Sequence, residues 1–237
     1  MSDVKYPGGT LAGVPLFNDE NREFVTATNS WRDVPIPRKM RALGKDRRGY
    51  PIPFNVLRNE EGRPHFTVND SIRQHRALIE KRCAICGGRL GKPLWFVGGP
   101  LSAFHEDGAY MDTALHHECM TYALQVCPYL AVKNYNGRID DATVDHSKLR
   151  DGMILMDPTH IPERPALFVA VASNSQTIIP REGICPLVKP DRPYIAVEYW
   201  RNGRRLSEED GHVLVGLPPV VPLPDAYESC DEEDLPE

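Results

Sequence analysis

The sequence predicts an α+β protein, and three observations carry that reading. Blocks of strand-like alternation are separated by turn residues, helix-capping signals stand between them, and two pairs, Cys83-x2-Cys86 and His116-x2-Cys119, mark a shared anchoring point near the middle of the chain. With 237 residues, 41% of them hydrophobic, the chain has apolar side chains enough for a sizeable core.

Residues 1–35 carry Gly8-Gly9, Pro7 and Pro15 with little periodicity, and read as a loosely ordered N-terminal arm. Tyr50, Ile52, Phe54 and Val56 alternate with polar residues and prolines, and Phe66 and Val68 alternate after Asn59-Glu60-Glu61-Gly62, which predicts a β-hairpin with its first strand at an edge. Asn69-Asp70-Ser71 offers an N-cap for a helix over about 72–81, with Ile72, Leu78 and Ile79 inward and Arg73, Arg76 and Lys81 outward. Leu94–Val97 reads as a strand, and 116–130 reads as a helix closed near Pro128. Residues 166–172 and 194–200 are strand-like, Asn202-Gly203 predicts a tight turn, and 207–215 fits a helix capped by Ser207 and weakened by Gly211.

The two cysteine-bearing pairs are the most specific chemistry in the chain. Thiolate and neutral imidazole suit zinc, and a His/Cys pair at i, i+3 entering a helix points both side chains at one ion, so Cys83, Cys86, His116 and Cys119 are the candidate ligands of a structural Zn²⁺. His117 has the wrong phase with Cys119 to share that face. Cys127 lies two turns beyond Cys119 and reads as a buried small hydrophobe. Of the six cysteines, Cys127, Cys185 and Cys230 show no pairing rhythm, which argues against a disulfide framework. A knuckle, a strand region and a helix whose first turn carries two ligands make a treble-clef-like centre.

Charge is unevenly spread. Residues 37–92 hold 14 Lys/Arg against 5 Asp/Glu, whereas after Arg205 there are 10 Asp/Glu and no Lys or Arg. Arg38, Lys39, Arg41, Lys45, Arg47 and Arg48 fall within eleven residues and Tyr50 follows, a combination suited to phosphate contacts with an aromatic for base stacking. An acidic protein surface would meet the same residues. The Asp225-to-Glu237 stretch and its flanking prolines read as a disordered acidic tail over 223–237. No apolar run approaches the ~18 residues a membrane span needs, and the N-terminus lacks a signal-peptide plan, so the expectation is a cytoplasmic protein without membrane partners.

Arg48-Gly-Tyr-Pro-Ile-Pro-Phe54, Cys83-x2-Cys-Gly-x2-Leu-Gly91 and His116-x2-Cys-x5-Gln-Val-Cys-Pro-Tyr-Leu130 resemble an uncharacterised family of bacterial and phage treble-clef-like zinc-binding proteins. The resemblance covers residues ~48–130 and implies His116 as the fourth ligand; it implies no catalytic residue.

The expected organisation is thus an arm (1–35), a basic hairpin-helix with the zinc unit (36–150), a small β-rich unit (151–222) and the tail. The expected function is a zinc-stabilised, non-catalytic binding module associated with nucleic acid. Two alternatives are a protein adaptor using the basic face and an HNH-type metal-dependent endonuclease. The endonuclease would need a base such as His117 and groups such as Asp112, Asn134 and His146 on a second ion. His116 stands where that family has an acidic ligand, and no second Cys-x2-Cys brackets His146.

Overall fold

The computed structural model describes residues 31–131, 165–181 and 185–217, together with the backbone of 10–11 and 14–15, which pair as β1 (Thr10–Leu11) and β2 (Val14–Pro15). The rest of the arm and the acidic stretch 223–237 lie outside the described residues. The chain is mixed α and β, with several antiparallel sheets.

The hairpin forms from β3 (Val56–Arg58) and β4 (Pro64–Asn69), with a register irregularity between Val56 and Leu57. The expected strand starts six residues late. Pro51 and Pro53 have no N–H to give a ladder, and the Phe54 and Asn55 amides are committed elsewhere, to the carbonyls of Ile85 (2.7 Å) and Ala84 (3.0 Å). Residues 50–55 therefore lead into the hairpin by docking on the segment that carries Cys83 and Cys86.

Asp70 caps α1 (Ser71–Ile79), its carboxylate accepting from the Ile72 and Arg73 amides at 3.1 Å each. The helix buries a different face from the one its isoleucines mark. Ile72 is 56% and Ile79 67% exposed, whereas Gln74, Ala77 and Leu78 are buried. Gln74 is tolerated inside because its amide donates to the Met111 carbonyl, so the polar group enters the core already hydrogen-bonded.

A four-stranded antiparallel sheet holds the two halves of the sequence together. Its strands are β5 (Leu94–Gly98), β6 (Phe168–Ser173), β9 (Ala196–Arg201) and β10 (Arg204–Arg205), in the order β10-β9-β6-β5. The ladder from β5 to β6 pairs a segment before residue 150 with one after it. β9 turns into β10 through Asn202 and Gly203, both at positive φ, as the Asn-Gly pair predicts. A separate hairpin, β7 (Gln176–Ile179) and β8 (Leu187–Pro190), is tied in where Val188 exchanges two amide bonds with Tyr110.

β6 is buried at every position, so it has no solvent face and its sequence runs apolar without alternation. On one side Phe168, Ala170 and Ala172 join Trp95 and Trp200 against Met120, Leu124 and Val126 of α3 (His117–Val126). On the other, Val169 and Val171 join Phe96 and Tyr199 against Ala103 of α2 (Pro100–Phe104), Val188, and Val215 of α5 (Glu208–Val215). Each buried Val contributes about 1.5–3 kcal/mol by leaving water. The helix expected over 116–130 breaks at Cys127, which is extended (φ −66°, ψ 121°) because it precedes Pro128; a single turn, α4 (Pro128–Ala131), follows.

α5 packs so closely on the sheet that a methyl group at Gly211 would fall on the Tyr199 ring. Gly211→Ala should therefore lower stability by about 1–3 kcal/mol, read as a shifted denaturation midpoint, despite the better helix propensity of alanine. Gly91→Ala, where nothing lies within 4 Å of the added carbon, should stay within about 0.5 kcal/mol of the parent.

Candidate metal centre

The first ligand pair sits on a tight turn that its own backbone closes. Cys83 N–H donates to the Gly88 carbonyl and Gly87 N–H to the Cys83 carbonyl, both at 2.8 Å, and Arg82 and Arg89 bridge across. Gly87 is at φ +71°, and a side chain there would also run into Phe54, so the turn requires glycine on two counts. The second pair is delivered by α3. Trp95 and Leu115 exchange two backbone bonds (2.8 and 3.2 Å), which aligns the chain with β5 and sets His116 at the helix N-cap and Cys119 in its first turn.

Cys83, Cys86, His116 and Cys119 thereby come together, with one ligand atom from each lying within 4.8 Å of all the others. The four residues can hold a metal ion. His116 Nδ1 is 3.3 Å from Cys86 Sγ and 3.9 Å from Cys119 Sγ, and its Nε2 is 2.9 Å from the Arg89 carbonyl. That carbonyl accepts only from a protonated Nε2, which leaves the Nδ1 lone pair directed at the sulfurs, the tautomer a metal requires. Gly88 N–H approaches Cys86 Sγ at 3.4 Å, and Cys83 and Cys119 are fully buried.

Hydrogen bonds from Cys119 and Cys86 push the Cys83 thiol down, while the same contact with Cys83 and Cys86 pushes Cys119 up. Crowded sulfurs cannot all carry negative charge without a cation among them, and a bound dication removes the conflict by deprotonating all three. Cys127, half-buried at the end of α3, is outside the ligand group.

His117 points away from this group. Its Nε2 is 2.9 Å from Glu198 Oε1, and its ring lies on Trp95 with centroids 4.5 Å apart. Glu198 is only 4% exposed and also accepts from Trp200 Nε1 at 3.0 Å and pairs with Arg205 at 3.3 Å. The sequence does not mark this carboxylate as buried, because only Trp200 is a near neighbour, while His117 comes from 81 residues away and Arg205 from the next strand. The alternation of 194–200 was the one available signal, since it puts a charged residue on a face shared with Trp200.

The six clustered cations, Arg38, Lys39, Arg41, Lys45, Arg47 and Arg48, are all exposed around the buried anchor Met40. Lys39 pairs with Glu118 (2.9 Å), whose carboxylate raises the lysine's pKa, and Arg48 pairs with Asp46 (2.7 Å). Tyr50 is half-buried against the core beneath the Arg48 guanidinium, 4.9 Å from its ring centroid, and burial raises its pKa. Asp112 accepts from the Asn69 amide at 2.7 Å, while Asn134 and His146 lie outside the described residues. No helix among the described residues is long and apolar enough to cross a membrane.

Comparison with protein-family models, curated proteins and solved structures finds no match.

Cys86→Ser should abolish stoichiometric metal in elemental analysis and speed amide exchange over 83–90 and 116–126, since structural sites of this kind contribute on the order of 10 kcal/mol to folding. Cys127→Ala should retain the full metal content. Glu198→Ala, which strips the Trp200 indole of its acceptor, should cost about 1–3 kcal/mol in denaturant titration without loss of metal.

Proposed function

We propose that the protein is a zinc-stabilised binding module for nucleic acid, with no reaction of its own. The single observation that carries the metal half of this reading is the convergence of three sulfurs and one imidazole nitrogen on one point. A donor set rich in thiolate favours zinc over the hard cations, and four protein ligands close the site, leaving no open position for substrate. The turn at Cys83–Gly88, the Trp95–Leu115 pairing and α3 then follow the outline of a treble clef. The resemblance of residues ~48–130 to bacterial and phage zinc-binding proteins agrees with that outline.

Exposed positive charge supports the nucleic-acid half. Arg38, Arg41, Lys45 and Arg47 are exposed and have no ion-pair partner among the described residues, so no described carboxylate competes for them. Counterion release makes such contacts strongly salt-dependent, with roughly 0.7–0.9 units of log K per decade of salt for each phosphate engaged. Labelled oligonucleotide anisotropy should show binding at low salt that weakens steeply as salt rises. Failure of single- and double-stranded probes to bind at any salt would refute the nucleic-acid reading and leave the adaptor with an acidic protein partner.

One observation favours the endonuclease alternative. His117 is oriented by a buried carboxylate, as a general base would be. A second ion would still be needed, and the described residues hold a single group of three or more close His, Cys, Asp or Glu side chains, the Cys3His cluster itself. Wild-type protein with magnesium should leave plasmid DNA intact; cleavage lost in His117→Ala at unchanged zinc content would replace the binding reading with the nuclease.

A further inference from the structure

Beside the metal centre lies an open cavity of about 400 Å³, lined by Lys39, Arg89, Lys92, Trp95, His117 and Glu118 together with the outer edge of His116. We propose that this cleft carries the phosphodiester backbone of the bound nucleic acid, and that the strand continues past His117 to Arg204 and Arg205 on edge strand β10. The inference rests on the nucleic-acid reading above and goes further, because it moves the contact from the 38–48 segment alone to a track across the zinc centre.

The charges argue for it. Three cations line the cleft from two sides: Arg89 and Lys92 from the chain leaving the Cys83–Cys86 turn, and Lys39 from the basic segment. Arg89 and Lys92 are exposed and make no ion pair among the described residues. The lone lining carboxylate, Glu118, is held by Lys39 across a solvent-exposed pair, side chains 42% and 50% exposed, of the kind that an incoming anion displaces at little cost. The Arg89 carbonyl is turned inward to His116, so the same residue fixes the metal ligand with its backbone and is free to present its guanidinium outward.

The floor of the cleft is aromatic, built from Trp95 and a tilted His117 ring at 51° to it. His117 packs on Trp95 with half of its side chain exposed, so the imidazole is accessible to a base passing through the cleft. Glu198 holds that ring in place, and the same carboxylate oxygen pairs with Arg205, which is therefore fixed beside His117. Arg204 and Arg205 are both exposed, on a strand with no further neighbour in the sheet among the described residues. A basic path thus runs from Lys39 through Arg89 and Lys92, over His117, to the sheet edge.

The charge balance also selects the ligand. With zinc bound, three thiolates outnumber the ion's charge by one, so the positive excess in the cleft is small. It suits one or two phosphodiesters passing through an open channel, and it does not suit a compact polyphosphate, which would want an enclosed cradle of backbone amides.

Lysine acetylation of the full-length zinc-loaded protein, with and without oligo(dT) or a DNA duplex, locates the contact. Expected is slower modification of Lys92 and Lys39 with at least one of these probes, the two arms separating single from double strands. Arg89→Ala with Lys92→Ala should weaken binding at least tenfold and reduce the slope of log K against log salt by about 1.5, with zinc content unchanged; Arg204→Ala should reduce it by roughly half as much. Protection of Lys45 without Lys92, together with wild-type affinity in the Arg89/Lys92 variant, would overturn the cleft while leaving the nucleic-acid reading intact. Absence of any binding by the parent protein would overturn both.

Discussion

Four ligand atoms drawn from two chain segments, 29 residues apart, must share a space less than 4.8 Å across, and much of the structure is arranged around that constraint. Two of the sulfurs are fully buried, where unpaired negative charge is expensive. A cation resolves the conflict, and on the present reading it is zinc. The turn at 83–88, the docking of Phe54 and Asn55 onto Ile85 and Ala84, and the Trp95–Leu115 pairing each deliver a backbone segment to within ligand reach. An ion held there would fix the crossing of these segments, while the β5–β6 ladder ties them to the core.

The sheet explains why a small centre can sit on a protein of this length without being an independent finger. β5 leads from the first ligand pair toward the second, and its other edge pairs with β6, whose two faces feed two core clusters. Trp95 belongs to this sheet, packs in the core and forms the floor under His117. Metal centre, core and exposed cleft are therefore mechanically one assembly. Glu198 reinforces the link by holding His117 and Arg205 from a buried strand position.

How much of this could be read in the sequence depended on the range of the interaction. The ligand set was legible because Cys-x2-Cys and His-x2-Cys are local spacings with a strict geometric purpose. Asp70, Asn202-Gly203 and Ser207 were legible for the same reason, each acting through bonds to its near neighbours. The inward face of α1 was not, because Ile72 and Ile79 carry the apolar signal while Gln74 carries the contact, with a carbonyl 37 residues on. The strand start at Tyr50 was misplaced since alternation cannot reveal that two of its amides are taken by the metal turn. The grip of Glu198 on His117 and the cleft beside it arise from long-range pairing, and the alternation of 194–200 signals only that a charged residue shares a face with Trp200.

Zinc-edge X-ray absorption of the purified full-length protein tests the central claim most directly. The account predicts one zinc per chain with a shell of three sulfurs near ~2.3 Å and one nitrogen near ~2.0 Å. A folded protein with no zinc edge, or a zinc shell made of nitrogen and oxygen alone, would contradict it.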